Sequence, residues 1–578
     1  MSDRAIIIVG GGLAGLTAAI RVCEQGHPVK LFSYVPVKRS HSVTAQGGIN
    51  ASINIKGEGD SPQVHFEETI VGGDFLANQP PAKGMCDDAP NIVYMLDRMG
   101  VPFNRTPEGN LDFRGFGGTL YHRTAFAGAT TGQQLLYALD EQVRRYEAQG
   151  LVEKFEYWSM QGILKDSAGR CRGITALNMP TMEVRAFQSP AVILALGGSG
   201  LVFGMSTNSM INTGSAIMRA FKAGARFGNP EFYQVHPTAI AGTDKRRLIS
   251  ESVRSEGGRV WTYKDGKPWY FFEELYPAYK NLVPRDIASR VIYDVVINKG
   301  LGVNGQRFVY LDVSHIDDAV LHRKLGGVLE IYEKFMGEDP YHNPMKVYPA
   351  VHYSMGGMWV DYSQMTSMPG LFAVGECDYQ YHGANRLGAN SLLSCIYAGR
   401  VVGKPVVEYS KEILPALAEA EVGEAVQREV SAFEEVFSSN GDENAYAIQD
   451  EMGELMDNNV TIVRDNKVLD GVASKLRDLE ARLPRIGLRD KGRRMNAEAV
   501  FVRELRDRML YAKMIVQAAR LRDESRGAHY KPEFPKRDDA NWLKTTLADY
   551  TPDGIKISYE PVDVSLLPLR ERRYDVKH

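Results

Sequence analysis

The stretch Ala5-Ile6-Ile7-Ile8-Val9, followed by Gly10-Gly11-Gly12-Leu13-Ala14-Gly15, decides the fold. With the helix-like segment from Leu16 to Cys23 behind it, this is the order strand, glycine turn, helix. Glycines at 10, 12 and 15 allow a tight reversal, close approach of backbone N–H groups to a pyrophosphate, and close packing of helix on strand. The helix N-terminus also favours negative charge. We therefore predict an α/β nucleotide-binding domain here.

A second strand is predicted from Pro28 to Phe32, and it ends at Ser33. An Asp or Glu that binds a ribose is usual at that point, so the chain departs there from the ordinary NAD or FAD pattern. A hydroxyl can still reach a ribose, and Ser33 therefore remains a candidate with a weaker signal.

Two short motifs lie just downstream of the glycine turn: Arg39-Ser40-His41-Ser42 and Ala45-Gln46-Gly47-Gly48-Ile49. A single histidine usually has only a structural role in the core or on the surface, so the neighbouring motifs are what make His41 a functional candidate. The arrangement indicates a flavin tethered to the chain through His41.

Composition narrows the class of protein. A chain of 578 residues is long enough for three or four domains. The 68 basic and 71 acidic residues give a net charge of -3, which does not favour nucleic acid or anionic lipid as a partner. Five scattered cysteines without a C-x-x-C motif indicate a reducing compartment and exclude an iron–sulfur cluster held by this chain alone. We predict no metal site.

No targeting or membrane segment is predicted. The uncharged stretch from Ala5 to Ile20 contains three consecutive glycines, which oppose a signal peptide, so we expect the mature chain to start near Met1. The uncharged stretch from Gln188 to Met218 is too polar for a lipid-exposed helix.

The pattern along the chain predicts an α/β fold in which an FAD-binding nucleotide domain has an inserted α+β capping domain and is followed by a helical domain and a C-terminal extension. A strand signal at Leu371-Phe372-Ala373-Val374 indicates that the nucleotide domain is interrupted and later resumes. The predicted ranges are 1–235 and 351–410 for the FAD-binding domain, 236–350 for the cap, 411–530 for the helical domain and 531–578 for the C-terminal segment.

Five further segments cluster Arg, His and Glu among glycines. They are Gln234-Val235-His236-Pro237-Thr238, Ser250 to Gly258, Pro284-Arg285-Asp286, Val351 to Gly357, and His382-Gly383-Ala384-Asn385-Arg386. At any one of them a surface ion pair or a satisfied histidine is as common as a functional site, but their joint occurrence favours function.

At these motifs the chain resembles the flavoprotein subunits of succinate dehydrogenase and fumarate reductase, especially the quinone-linked bacterial kind. The resemblance covers nearly the whole length and includes Phe116-Gly117-Gly118, the segment from His382 to Leu393, Glu524 to His529 and Arg537 to Lys544. It implies oxidation of succinate to fumarate, or the reverse, on covalently bound FAD. It also implies an iron–sulfur subunit as the direct partner, a cytochrome b membrane anchor as an indirect one, and a peripheral position on the cytoplasmic side of the bacterial membrane.

The resemblance assigns the cofactor residues. It implies that His41 is bonded to the 8α carbon of FAD. The other candidate cofactor residues are Gly10, Gly12, Gly15, Ser33, Ser40, Ser42, Gln46, Gly47, Gly48, Glu376, Asn390, Ser391 and Leu392.

It also assigns the substrate and catalytic residues. A four-carbon dicarboxylate needs both carboxylates held, and Arg386 offers planar bidentate donors while the other candidates add contacts. Arg285 matches the family's proton-transfer arginine, Glu251 and Arg254 match the next members of its proton relay, and Asp286 either orients Arg285 or forms a surface pair. The predicted substrate-binding residues are His236, Ser250, Glu251, His352, Arg386 and Phe116, with Ser250 standing where many relatives have Thr.

Three alternatives remain open at this point. The nearest is L-aspartate oxidase, a flavin oxidase that binds FAD without a covalent bond. A nucleic-acid-handling flavoprotein would bind RNA tightly in a strongly salt-dependent way. A scaffold that keeps FAD only for folding would have no need of Arg285, Glu251, Arg254, His352 and Arg386.

Overall fold

A five-stranded parallel sheet forms the centre of the first domain in the computed structural model, which describes residues 4–242 and 246–573. Its strands, in spatial order, are Leu371–Ala373, Val192–Leu194, Ile6–Val9, Val29–Ser33 and Val152–Glu156. Ile6–Val9 lies in the middle and is fully buried, as its β-branched sequence predicts for a parallel strand covered on both faces. The first helix, Leu13–Cys23, begins directly after Gly12 and includes Gly15, so it starts three residues before the predicted start.

The late strand Leu371–Ala373 pairs in parallel with Val192–Leu194, so the sheet is completed by a segment distant in sequence. Helix Asn390–Ser410 follows that strand and packs against the first helix. The remaining helices of this part of the chain are Pro62–Gly72, Gln79–Arg98, Thr131–Ala148 and Ser215–Lys222. Two small antiparallel sheets accompany them, one of Ile49–Asn50, Thr124–Ala125 and Phe113–Arg114, and one of Trp158–Lys165, Cys171–Asn178 and Glu183–Gln188.

A second five-stranded sheet is antiparallel throughout. It contains, in spatial order, the strands Tyr233–Ile240, Met345–Ser354, Val309–Asp312, Arg259–Lys264 and Lys267–Trp269. Helices Ser252–Ser255, Phe271–Leu275, Arg285–Tyr293 and Asp318–Met336 belong to the same region, which has its own hydrophobic core. The predicted domain limits at 235/236 and 350/351 fall inside the first two strands, and Val235 pairs with Val351 while His236 pairs with Ala350. The two strands therefore run together out of the nucleotide-binding region into the cap.

Four long helices follow: Glu419–Ser438, Ala445–Val460, Asn466–Arg482 and Ala497–Leu521. The apolar positions Val472, Leu476 and Leu479 are all buried, as their spacing by threes and fours predicts for the core stripe of a helix bundle.

The C-terminal segment, in which the sequence showed no clear period, forms a short helix, Asp539–Trp542, and a β-hairpin of Lys544–Thr551 and Gly554–Pro561. The hairpin pairs with the short strand Phe227–Gly228, which in turn pairs with Gly357–Met358. This extension is thus attached to the nucleotide-binding region by strand pairing.

Within residues 4–242 and 246–573, no helix combines the length and the apolar character needed to cross a bilayer. The same residues contain no group of three or more His, Cys, Asp or Glu side chains arranged to hold a metal ion.

Candidate active site

A cavity of about 600 Å³ lies between the glycine turn, the cap and the helical domain, and most of the predicted site residues line it. Those that line it are Gly10, Gly12, Ser33, Ser40, His41, Ser42, Gln46, Gly47, Gly48, Phe116, His236, Ser250, Glu251, Arg285, His352, Glu376, Arg386, Ser391 and Leu392. Gly15, Arg254 and Asn390 do not line it. The structure therefore brings together residues that are spread over nearly 400 positions of the sequence.

The glycine turn packs too tightly for side chains. Gly10 has a φ of +122°, and a Cβ there would lie 2.0 Å from the Ala195 carbonyl oxygen. A Cβ on Gly15 would lie 1.9 Å from the Gly10 carbonyl oxygen, so this glycine serves packing of the helix on the turn and does not face the cavity. Gly12 is the member that faces the cavity, with the Ser42 hydroxyl beside it.

Polar atoms in the cavity wall fit an extended, hydrogen-bonding cofactor such as FAD. The Ser40 Oγ and the Gln46 Oε1 are buried and have no hydrogen-bond partner among the described residues. Helix Asn390–Ser410 starts beside the cavity with Ala389 in the left-handed region and no side-chain cap, which leaves the partial positive charge of the helix N-terminus available to a ligand.

His41 begins the 3-10 turn His41–Thr44 and is held by a segment of the chain that the sequence did not indicate. The backbone N–H of Ser209 donates to His41 Nδ1 at 3.2 Å, and the Asn208 side-chain nitrogen lies 3.3 Å from His41 Nε2. These contacts fix the plane of the imidazole at the cavity wall. Residues 207–209 could not be identified from the sequence, because they belong to none of the motifs that indicated a cofactor or substrate site.

Two further cofactor candidates have different surroundings. Glu376 is buried at the cavity wall, its Oε1 accepts the Ser354 N–H at 3.0 Å, and burial raises the pKa of its carboxyl to about 7. Asn390 faces away from the cavity: its amide group is hydrogen-bonded to Asn50, His65 and Thr69. Asn390 therefore anchors the start of the helix, whereas Ser391 and Leu392 are the residues of that turn that line the cavity.

Arg386 is a buried cation without an acidic partner among the described residues. It is only 2% exposed, its guanidinium lies over the Tyr353 ring at 4.3 Å from the centroid, and its Nε has no hydrogen-bond partner. Burial, with the charge of Arg285 nearby, lowers the pKa of Arg386 to about 9. Because an unpaired buried charge is costly, an anion bound in the cavity would stabilise Arg386.

Two histidines lie beside this arginine, with ring centroids 5.1 Å apart. His236 Nδ1 accepts the Thr238 N–H at 3.2 Å, and its Nε2 is buried without a partner. His352 Nδ1 lies 2.7 Å from the Thr207 hydroxyl. Burial and the charge of Arg285 hold the pKa of both imidazoles well below 6.5, so both are neutral. In the tautomer that these bonds favour for His236, Nε2 is an N–H donor available to a carboxylate.

Arg285, Glu251 and Arg254 form a continuous chain of buried charges. Glu251 Oε2 lies 2.9 Å from Arg285 Nε and 2.8 Å from Nη2, while Oε1 accepts from Arg254 Nη2 at 2.6 Å. Burial alone raises the pKa of the Glu251 carboxyl, but the two arginines outweigh it and hold the pKa below its usual value. Arg254 lies behind Glu251, where it donates to the Asn281 carbonyl and does not reach the cavity.

Gln234 connects the two arginines that face the cavity. Its Oε1 accepts from Arg285 Nη1 at 2.9 Å, and its Nε2 donates to the Arg386 backbone carbonyl at 2.7 Å. Asp286, in contrast, does not contact Arg285: its buried carboxylate is paired with Arg572 at 2.6 Å and with Arg290 at 3.2 Å. It is therefore neither an orienting group for Arg285 nor a surface pair, but a buried link to the C-terminal segment.

Ser250 and Phe116 complete the cavity wall. The Ser250 hydroxyl accepts from the Ser252 hydroxyl at 2.8 Å, which leaves its own proton free to donate. Phe116 is 1% exposed and lies against Gly47, where a Cβ would be 2.9 Å from the ring. The ring thus closes the space between the cofactor motif and the basic residues.

Comparison with known proteins agrees with this geometry. Residues 5–392 match the FAD binding domain family, and residues 449–574 match the fumarate reductase flavoprotein C-terminal family. The succinate dehydrogenase flavoprotein subunit of Bacillus subtilis is 58% identical over 100% of this chain and 99% of its own. The chain belongs to the family of succinate dehydrogenase and fumarate reductase flavoprotein subunits.

Other members of this flavoprotein family are more distant but still cover the whole chain. The fumarate reductase flavoprotein subunit of Haemophilus influenzae is 34% identical over 98% of this chain and 96% of its own. The FrdA chain of Escherichia coli quinol fumarate reductase superposes with a TM-score of 0.94 at 32% identity, covering 100% of this chain and 99% of that one. Both the resemblance read from the motifs and the predicted fold class are confirmed: this is an FAD-dependent oxidoreductase flavoprotein with an FAD-binding domain and a C-terminal domain.

Proposed function

We propose that this flavoprotein interconverts succinate and fumarate on FAD bonded covalently through His41, and that it passes electrons to an iron–sulfur subunit. The buried Arg386 supports the proposal that the substrate is a dicarboxylate. It has no acidic partner among the described residues and lies beside the neutral His236 and His352. A small diacid placed there would be bound by a bidentate cation at one carboxylate and by neutral N–H and O–H donors at the other.

FAD, when bound, supplies the two-electron centre that accepts a hydride from succinate or returns one to fumarate. In this proposal Arg285 handles the accompanying proton at the adjacent carbon. An arginine is normally a poor base because it keeps its proton in water. Here Glu251 contacts Arg285 and Arg254 with its two oxygens, so the proton lost or gained by Arg285 moves along this chain and does not accumulate.

Phe116 and the cap exclude water from the reacting carbons. The Phe116 ring is buried between the cofactor motif and Glu251, and a Cβ on the neighbouring Gly117 would lie 2.2 Å from Glu251 Oε1. Close packing at this point keeps the Glu251 carboxylate against the arginines and away from solvent, which strengthens the ion pairs.

The relatives support the proposal that this chain works within a multi-subunit complex. The structurally similar E. coli chain is described as FrdA of quinol fumarate reductase, and another neighbour is described as Mycobacterium smegmatis Sdh1 in complex with UQ1. We place this chain in such an assembly, with an iron–sulfur subunit as the direct electron partner. A cytochrome b anchor would then hold it at the cytoplasmic side of a bacterial membrane.

The proposal is tested by assaying the purified chain with succinate and a dye that accepts electrons, with and without malonate. Reduction of the dye that depends on succinate and is abolished by malonate supports it. Oxidation of L-aspartate in place of succinate, with flavin that is released on acid precipitation, would instead support the aspartate oxidase alternative.

A further inference from the structure

The far end of the cavity, beside the carboxyl end of strand Val29–Ser33, lacks the acid that usually binds the adenosine ribose. Ser33 occupies that place and Tyr34 follows it, and both line the cavity. The short Ser33 side chain packs against the glycine turn, since a Cβ on Gly11 would lie 2.9 Å from its Oγ. Ser33 offers one hydroxyl at this end of the cavity, so the two acceptor oxygens of the usual acid are missing from this strand end.

Glu504 reaches this end of the cavity from the helical domain. It lies on helix Ala497–Leu521, is 3% exposed, and lines the same cavity as Ser33 and Tyr34. Its carboxylate lies beside the Tyr34 side chain, and burial together with this negative charge raises the pKa of the Tyr34 hydroxyl. The Ser215 hydroxyl donates to the Glu504 backbone carbonyl at 3.3 Å, which joins this turn of the helix to the cavity-lining segment 212–217.

The carboxylate of Glu504 is only weakly compensated by positive charge. The one ion pair it makes among the described residues is to Arg508, whose Nη1 is 3.7 Å from Oε2. Arg219, the other nearby cation, is bonded to Asp507 at 2.9 Å instead. Burial raises the pKa of the Glu504 carboxyl. A buried acceptor of this kind is stabilised by donors that come with the ligand.

We propose that Glu504 accepts hydrogen bonds from the ribose hydroxyls of the adenosine part of FAD, in place of the acid that usually ends the second strand. The helical domain then completes the cofactor site. A ribose offers two adjacent hydroxyl donors, which match the two oxygens of one carboxylate, and Tyr34 lies beside that carboxylate. The proposal rests only on FAD binding, and requires neither the bond to His41 nor succinate chemistry.

The test measures recognition of the ribose itself. Full-length protein with His41→Ala is loaded with FAD, and the flavin released on titration with ADP, 2′-deoxy-ADP or 3′-deoxy-ADP is followed by its fluorescence. We expect ADP to displace FAD at a concentration about 10- to 100-fold lower than at least one deoxy analogue, the range for a hydrogen bond to a charged group. In a chain that also has Glu504→Ala this preference should fall to near one.

Asp507→Asn is the matched control. Asp507 is the third residue after Glu504 on the same helix, its side chain is equally buried and contacts Arg219 and Lys222, and it does not line the cavity. This control should keep the full preference for ADP. If Glu504→Ala fails to fold, Glu504→Gln, which keeps the size and one acceptor oxygen, should lower the preference partly.

Two results would overturn the proposal: an unchanged preference for ADP in both Glu504 variants, which would assign the carboxylate to another group such as the adenine amine, or an equal loss in Asp507→Asn. If the flavin of the unaltered chain proves to be non-covalent, the same titration is made on that chain. The ribose proposal is thus judged independently of the proposed covalent bond.

Discussion

Glu251 binds the Arg285 guanidinium through a single carboxylate oxygen, with Oε2 2.9 Å from Nε and 2.8 Å from Nη2, and keeps its second oxygen for Arg254. The Arg285 Nη1 is meanwhile bonded to Gln234. All of these groups are buried, so the arginine is held in one orientation at the cavity wall. The first three predictions follow from this chain of charges and from the anion site beside it.

Replacing Arg285 by Ala should remove turnover but not ligand binding. Loss of the proton-transfer group should lower kcat by about 10²-fold to 10⁴-fold. Malonate should still bind at Arg386 and perturb the flavin absorbance. Steady-state assays combined with malonate titration measure both quantities, and a variant that keeps most of its kcat would exclude Arg285 from the proton transfer.

Glu251→Gln tests the next step of the relay. The amide keeps the size of the side chain but cannot pass a proton between Arg285 and Arg254, so kcat should fall strongly while KM changes little.

The same Glu251→Gln variant tests how much the negative charge of Glu251 contributes to stability. Since the folded pKa of Glu251 lies below its usual value of 4.5, its contribution to stability is present above pH 4.5 and is lost as the pH falls through the folded pKa. The difference in unfolding free energy between the two proteins should therefore shrink in acid, and a constant difference from pH 7 to pH 3 would contradict this.

Arg386→Ala should remove most of the affinity for dicarboxylates. Truncating one partner of a buried charge pair costs about 2 to 5 kcal/mol, and malonate affinity should fall accordingly. Arg290→Ala is a suitable control, because Arg290 is an arginine of the cap that pairs with Asp286 and does not line the cavity. Malonate affinity that is unchanged in Arg386→Ala would mean that the anion site lies elsewhere.

The pH dependence of ligand binding tests the state of the two histidines. Because burial and Arg285 hold the pKa of His236 and His352 well below 6.5, neither gains a charge between pH 8 and pH 5.5. Burial raises the pKa of Glu376 in the cavity wall to about 7, so its charge changes over this range, and the affinity is measured in Glu376→Gln. In that variant malonate affinity, corrected for the ionisation of malonate, should be flat. A rise of about tenfold towards pH 5.5 would show that a histidine becomes protonated with an ordinary pKa near 6.5.

The glycine turn and the late strand Leu371–Ala373 could be predicted from the sequence, and most of the predicted site residues line one cavity, since these features depend on local motifs and strand patterns. It could not predict the role of Asp286, because Arg572, which binds it, is 286 residues away. The hairpin Lys544–Thr551 and Gly554–Pro561 was missed because its first strand is largely polar and pairs with Phe227–Gly228, which is distant in sequence. The alternation of Ile555 and Ile557 with polar residues in the second strand was the signal that could have found it.

Two residues near the cavity show the same limit of prediction from the sequence. Asn390 belongs to a motif that indicates cofactor binding, yet its hydrogen bonds to Asn50 and His65 point it away from the cavity. Glu504 lies in an ordinary amphipathic helix, so nothing in its neighbours marked it before the fold placed it beside Tyr34. In both cases the orientation of the side chain is set by distant packing partners.

His41→Ala should leave FAD bound but removable, and should depress succinate oxidation more than fumarate reduction. The resemblance to this family implies that covalent attachment raises the flavin potential. Succinate is a poor reductant, so its oxidation depends more on a high potential. Assays in both directions on the same preparation give the ratio. Equal losses in the two directions would show that His41 does not affect the reduction potential of the flavin.

Mass spectrometry of the denatured, intact chain, expressed with ample FAD, tests the central claim most directly. The account predicts a mass equal to the polypeptide plus one FAD, and the polypeptide mass alone for His41→Ala. The bare polypeptide mass for the unaltered chain, or a retained FAD adduct in His41→Ala, would contradict it.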